Sequence, residues 1–228
     1  MGPAAIELEG SPGATISTDI EVDLLLNTDI DDVTGWSLGV TVDPASEMTL
    51  TITGVALPSD LQTVNKGGAP GFYSSNAYLA DNVGTASDSC AAGCAGITAD
   101  ALTQAVIIDM MMGDDLDDAE TDNFVMLTVL VHVEGTVGAL EDPVKMGGLI
   151  FSDTFGDPAT ETLCVHSGNS YAPAIQTGAT ISLIPVDCIA PAPLTIEIED
   201  SEGAPDGGTY ETKVILDFDA DGSNADTP

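Results

Sequence analysis

Four stretches and four cysteines carry the residue types that could do chemistry. "GWSLG", Gly35 to Gly39, has the G-x-S-x-G spacing of a nucleophile elbow. That device puts its serine on a strained strand-to-helix turn, followed along the chain by an acid and a histidine. Ser37 instead falls inside an apolar/polar alternation, and no helical pattern follows before "TVDPASEMTL". His132 and His166 each sit in their own strand-like run. The hydrolase spacing is therefore a coincidence of strand composition, and the chain is expected not to be an enzyme.

Three acidic patterns point to a hard cation. "DFDADG" places Asp217, Asp219 and Asp221 ahead of Gly222, the first half of a calcium loop, where carboxylate oxygens gather on a sharply turning backbone. The second half departs from the pattern, with Ala225 at position nine and Pro228 at position twelve. Near the start, "NTDIDD" offers Asp29, Asp31 and Asp32 at a comparable turn. "GDDLDDAETDN" concentrates Asp114, Asp115, Asp117 and Asp118 between two apolar runs. Such crowding reads either as a charged loop that discourages edge pairing or as a hairpin stapled by calcium, because like charges repel unless a cation intervenes. Calcium is the one cofactor these residues suggest.

The cysteines point to an oxidising compartment. Cys90 and Cys94 lie in the small-residue loop "SDSCAAGCAG", where a local bridge would pin a tight turn. Cys164 falls in a strand-like run and Cys188 just after the last strand, so a Cys164–Cys188 bridge would fasten the domain's exit. A zinc site is the alternative, but the paired CxxC spacing is missing. Disulfides imply an extracellular or cell-surface location.

Charge narrows the partners. Asp and Glu number 38 against three lysines and no arginine, a formal charge of −35, and a field of that sign repels nucleic acid and anionic lipid. It suits a high-salt milieu or one rich in divalent cations. No stretch reaches the roughly 20 apolar residues that span a bilayer, so membrane insertion is not expected. No signal peptide is apparent, and "MGPAAIELEG" reads as the edge of an excised fragment or a processed terminus. Yet 43% of the chain is apolar, enough for one packed core.

Period-two alternation dominates the elements. Ile16, Thr18, Ile20, Val22, Leu24 and Leu26 share one face, against Ser17, Asp19, Glu21 and Asp23 on the other. Trp36, Leu38, Val40 and Val42 continue it. Residues 58–103 read as a long irregular stretch, "AVIIDMMM" and "FVMLTVLVHV" read as central strands, and in the whole chain only a short piece near Thr98 to Gln104 could be helical. Eight or nine strands separated by turn signals predict an all-β, two-sheet antiparallel sandwich over 1–187. A Pro/Ala linker follows at 188–193.

Residues 194–228 repeat the opening. Ile196 and Ile198 alternate with acids as Ile6 and Leu8 do, and Val214, Leu216 and Phe218 form a second alternating run ending in an acidic turn. Two runs cannot build a core. They read as the first strands of a second copy, whose unpaired edges either stay loose, fold back on their own sandwich or pair with the sheet of a neighbouring chain. Added to a neighbouring chain they would make a head-to-tail contact, which propagates into filaments unless a ring closes. A homo-oligomer or filament is the expected assembly.

The spelling "IEVDLLLNTDIDDVTGWSLGVTVDP", the paired runs around "GDDLDDAETDN", and the close "SGNSYAPAIQTGATISLI" resemble cohesin-like domains of large secreted bacterial proteins. The resemblance covers most of residues 5 to 185. It implies a jelly-roll sandwich related to carbohydrate-binding modules and a structural or adhesive role in protein–protein attachment outside the cell. It also implies two alternatives: a receptor for dockerin-type partners and a carbohydrate-binding module. The second would want a platform of exposed aromatics, for which Phe72, Tyr73 and Tyr78 are the candidates.

Overall fold

The computed structural model describes residues 5–28, 32–111, 115–116, 123–174 and 176–186. The chain divides into two units, Met1–Cys188 and Ile189–Pro228, and all described residues belong to the first. They form an almost all-β, two-sheet sandwich. Its strands are β1 (Ala5–Gly10), β2 (Thr15–Leu26), β3 (Val33–Val42), β4 (Thr49–Ala56), β5 (Phe72–Tyr78), β6 (Asp88–Ser89) and β7 (Cys94–Ala99). The series continues with β8 (Ala101–Ile107), β9 (Phe124–Thr136), β10 (Lys145–Phe151), β11 (Leu163–His166), β12 (Asn169–Tyr171) and β13 (Ala179–Pro185). One short helix, α1 (Ser59–Thr63), buries Leu61.

The larger sheet runs β1-β13-β10-β3-β8-β5-β6. Its centre is β3, paired along one side with β8 and along the other with β10 at Val40–Val42 and β11 at Val33–Ser37. The smaller sheet runs β2-β9-β4-β7. All strand pairs are antiparallel except β1 with β13.

Alternation decides the packing, because successive strand side chains point to opposite faces. Leu38, Leu149, Ile181 and Leu183 of the larger sheet meet Ile52, Leu127, Val129, Val131 and Val133 of the smaller in one core, each at most 1% exposed. Each such side chain contributes about 1.5–3 kcal/mol by leaving water. Trp36 lies in this core edge-on to Phe124, ring centroids 5.5 Å apart. On the outer face of the larger sheet, Tyr78, Ala101 and Phe155 make a small second cluster.

Two expectations are corrected. Thr98–Gln104 is not helical: it is the end of β7, a turn at Asp100 and the start of β8. A chain crossing from the smaller sheet into the larger satisfies more backbone here than a lone helical turn, since Ala101 to Ile107 finds partners on both sides, in β3 and β5. Nor is 58–103 irregular, for it supplies α1 and β5 to β7. Its small side chains weaken the apolar alternation that marks a strand.

Candidate functional site

The described parts of the acidic stretches near Asp32 and Asp115 are joined by one backbone bridge. Val33 and Leu116 exchange reciprocal N–H to carbonyl bonds of 2.9 Å, and Leu116 is buried. This bridge sets Asp32, which has a positive φ of 58°, and Asp115 each beside a residue of the same pair. Asp29, Asp31, Asp114, Asp117, Asp118, Asp217, Asp219 and Asp221 lie outside the described residues, as do Cys188, Ile196, Ile198, Val214, Leu216 and Phe218. Among the described residues, no three of His, Cys, Asp or Glu are grouped so as to hold a metal ion.

Strand β2 is twelve residues long and, among the described residues, pairs only with β9, which leaves its other edge open there. The Val137 N–H donates to the Ala14 carbonyl at 2.9 Å, one step beyond the pair Thr15–Thr136. Hydrogen-bonded pairs alternate in an antiparallel ladder, so the even-numbered residues from Ile16 to Leu24 bond to β9. The backbone N–H and C=O of Thr15, Ser17, Asp19, Glu21 and Asp23 face away from it. On β1 the same reasoning runs from the bond of Val186 N–H to the Gly10 carbonyl: Glu7 and Glu9 face outward. A cleft of about 530 Å³ lies between these two edges, lined by Glu7 to Glu9 and Thr15 to Thr18.

The outer face of the smaller sheet holds a polar constellation that the chain order conceals. Asp19 sits directly opposite His132 in the β2–β9 register, with Ser17 opposite Glu134. His132 Nδ1 lies 2.8 Å from Asp19 Oδ1, and His132 Nε2 lies 3.3 Å from Ser17 Oγ. Further along, Thr128 Oγ1 donates to Asp23 Oδ1 at 2.6 Å. Beside Asp19 a cleft of about 690 Å³ is floored by Leu130 and flanked by Glu21, Thr53 and Gly96. Ser17 and His132 are 115 positions apart, so only the strand register could have revealed them.

Ser37 is where the alternation put it, on the outward face of β3, and its hydroxyl donates to the Glu161 carbonyl at 2.5 Å. Gly39 lies under the same covering segment, where a Cβ would strike the Ser152 carbonyl. His166 is on β11, its ring 6.0 Å from Tyr171. No nucleophile–base pair forms at Ser37.

The expected aromatic patch does not assemble. Phe72 is exposed, Tyr78 is buried against Phe155, and Tyr73 turns its hydroxyl into the interior. Neighbouring strand residues cannot share a face, and this separates Phe72 from Tyr73. Among the described residues no group meets that hydroxyl with good hydrogen-bond geometry, and Gln104 and Ser75 reach it only loosely. Burial pushes its pKa up, and the neighbouring Gln104 and Ser75 offset part of that push.

Cys90 and Cys94 form the expected local disulfide, and Cys90 is fully buried in the core. Cys164 carries a free, half-buried thiol, raised in pKa by desolvation. None of the described helices is long and apolar enough to cross a membrane. No protein-family model matches the chain, and no curated protein matches it.

Proposed function

We propose that this protein is an extracellular structural or adhesive module of cohesin-like, jelly-roll type that works by protein–protein association, its segment 194–228 adding as strands to the open sheet edge of a neighbouring copy. The observation that carries this reading is the β2 edge. It is long and strictly alternating, and it presents outward backbone groups from Thr15 to Asp23. Backbone hydrogen bonds of that kind supply affinity in strand addition, while the side chains of the added strand supply specificity.

Charge sets the conditions. The edge carries Asp19, Glu21 and Asp23, and the segment carries Glu197, Glu199, Asp217 and Asp219. Like charges opposed across a strand pair are destabilising, so association needs salt or a divalent cation such as calcium to screen or bridge them.

The test is electron microscopy and size-exclusion chromatography of the chain with and without residues 194–228, in molar salt and with millimolar calcium. Filaments or higher oligomers only with the segment are expected, and they should disperse at low ionic strength. Identical monomers from both chains under every condition would end the proposal.

A further inference from the structure

We infer that Ser17, His132 and Asp19 form a nucleophilic relay on the outer face of the smaller sheet, one that accepts an acyl group from an activated ester. The connectivity is that of a serine–histidine–acid triad, recognised by geometry and not by order along the chain. Asp19 Oδ1, 2.8 Å from His132 Nδ1, accepts that nitrogen's proton-bearing hydrogen bond and so fixes the tautomer. The lone pair then sits on Nε2, 3.3 Å from Ser17 Oγ and able to take its proton.

An oxyanion donor stands at the same place. Ser17 is one of the residues whose backbone N–H faces the open edge of β2, and among the described residues this N–H has no ladder partner to release before it can bind developing negative charge. The cleft of about 530 Å³ that Ser17 itself lines offers the ester apolar contact at Leu8 and an acidic wall at Glu7 and Glu9. Neutral or cationic acyl groups fit that wall, and anionic ones are repelled.

The step balances without a co-reactant. Ser17 Oγ bonds to the ester carbonyl carbon while its proton moves to His132 Nε2. The bond from that carbon to the leaving oxygen then breaks, and the proton leaves with the alcohol. Water repeats the sequence on the Ser17 ester, giving the carboxylic acid and the free hydroxyl. Exposure limits the rate: the Asp19 side chain is 77% and the His132 side chain 35% accessible to water. The gain over the Ser17→Ala variant is accordingly set at about 10²-fold, the low end for general-base assistance.

The full chain is treated with a fluorophosphonate probe and, separately, with p-nitrophenyl acetate, and the labelled peptide is located by mass spectrometry. Covalent label on Ser17 is expected, lost in Ser17→Ala and His132→Gln. Asp19 acts through His132 as a positioning residue, so Asp19→Asn slows labelling about tenfold and Asp19→Glu recovers part of it. All these side chains lie on a solvent-facing surface, so the urea midpoints of the variants should stay near that of the parent, which separates a lost relay from a lost fold. No label on folded parent protein, label at another residue, or equal labelling of Ser17→Ala would overturn the inference. Strand addition would occupy the same Ser17 N–H, so labelling is carried out at low ionic strength on the dispersed chain, where its outcome is independent of assembly.

Discussion

Gln104 Nε2 donates to the Met126 carbonyl at 2.7 Å, joining the larger sheet to the smaller through the middle of the core. The bond has a cause in the register. Leu24 faces Leu127 and Leu25 faces Val125, so Met126 is an extra residue on β9 with no ladder partner on β2. A buried orphan carbonyl is costly, and Gln104, 1% exposed, supplies the missing donor. Its Oε1 in turn accepts the Trp36 Nε1 hydrogen at 2.7 Å. Gln104→Leu keeps the volume but leaves both partners unpaired, which should cost about 2–4 kcal/mol. A urea midpoint measures this. Trp36→Phe in the same chain removes one orphan donor, so the double variant should lose less than the sum of the two singles. Strict additivity would mean the bridge is not energetically coupled.

Tyr73 supplies the opposite case. Its hydroxyl is buried with no partner in good hydrogen-bond geometry among the described residues, and removing such a group recovers its desolvation cost. Tyr73→Phe should be neutral or should stabilise by up to about 1 kcal/mol. The phenol pKa is raised, and so is that of the Cys164 thiol. A raised pKa means the folded state favours the protonated form. That stability is complete below the unfolded-state value and is lost as pH climbs through the folded one. Thermal stability should therefore hold to about pH 8.5, then fall as the thiol and afterwards the phenol ionise. Cys164→Ala should flatten the first part of that decline, and Tyr73→Phe the second. An unchanged alkaline limb in the double variant would refute this account.

Much of the fold was legible because alternation over long strands leaves little choice of face. Ser17 and Ile16, Ser37 and Trp36 stand on the faces their types require. Residues 72–107 were harder: Ser74, Ser75, Ala77, Ala101 and Thr103 give no apolar contrast, and β5 and β8 are defined by pairing partners far off in sequence. The Ser17–His132–Asp19 constellation is illegible for the same reason. Register between β2 and β9 creates it, and no local spacing encodes register.

The Cys90–Cys94 bridge closes a separation of only four residues. Chain entropy credits so short a loop with about 2 kcal/mol. Because Cys90 is wholly buried, Cys90→Ala with Cys94→Ala also removes core contacts at the start of β7. A melting-temperature fall of about 4–8 °C is expected for a domain of this size, by calorimetry without reductant. A fall confined to conditions where reductant was already absent, and matched by adding reductant to the parent, assigns the effect to the bridge. No fall in either sample would show that the loop is held by its burial alone.

Self-repulsion should dominate the response to salt. With a formal charge of −35, the compact state holds its carboxylates closer together than the unfolded chain does, so screening favours folding. Along β2 the outward row Asp19, Glu21 and Asp23 is a local instance, unrelieved by any lysine on that strand. Raising sodium chloride from 0.01 M to 1 M cuts the screening length from about 30 Å to about 3 Å. The melting temperature should rise across that range and level off near its upper end. Glu21→Lys reverses the middle charge of the row, so it should raise the low-salt melting temperature by a few degrees and do almost nothing in molar salt. A melting temperature that is flat with salt, or a Glu21→Lys gain that persists undiminished at 1 M, would show that the acidic row is not held against its own repulsion.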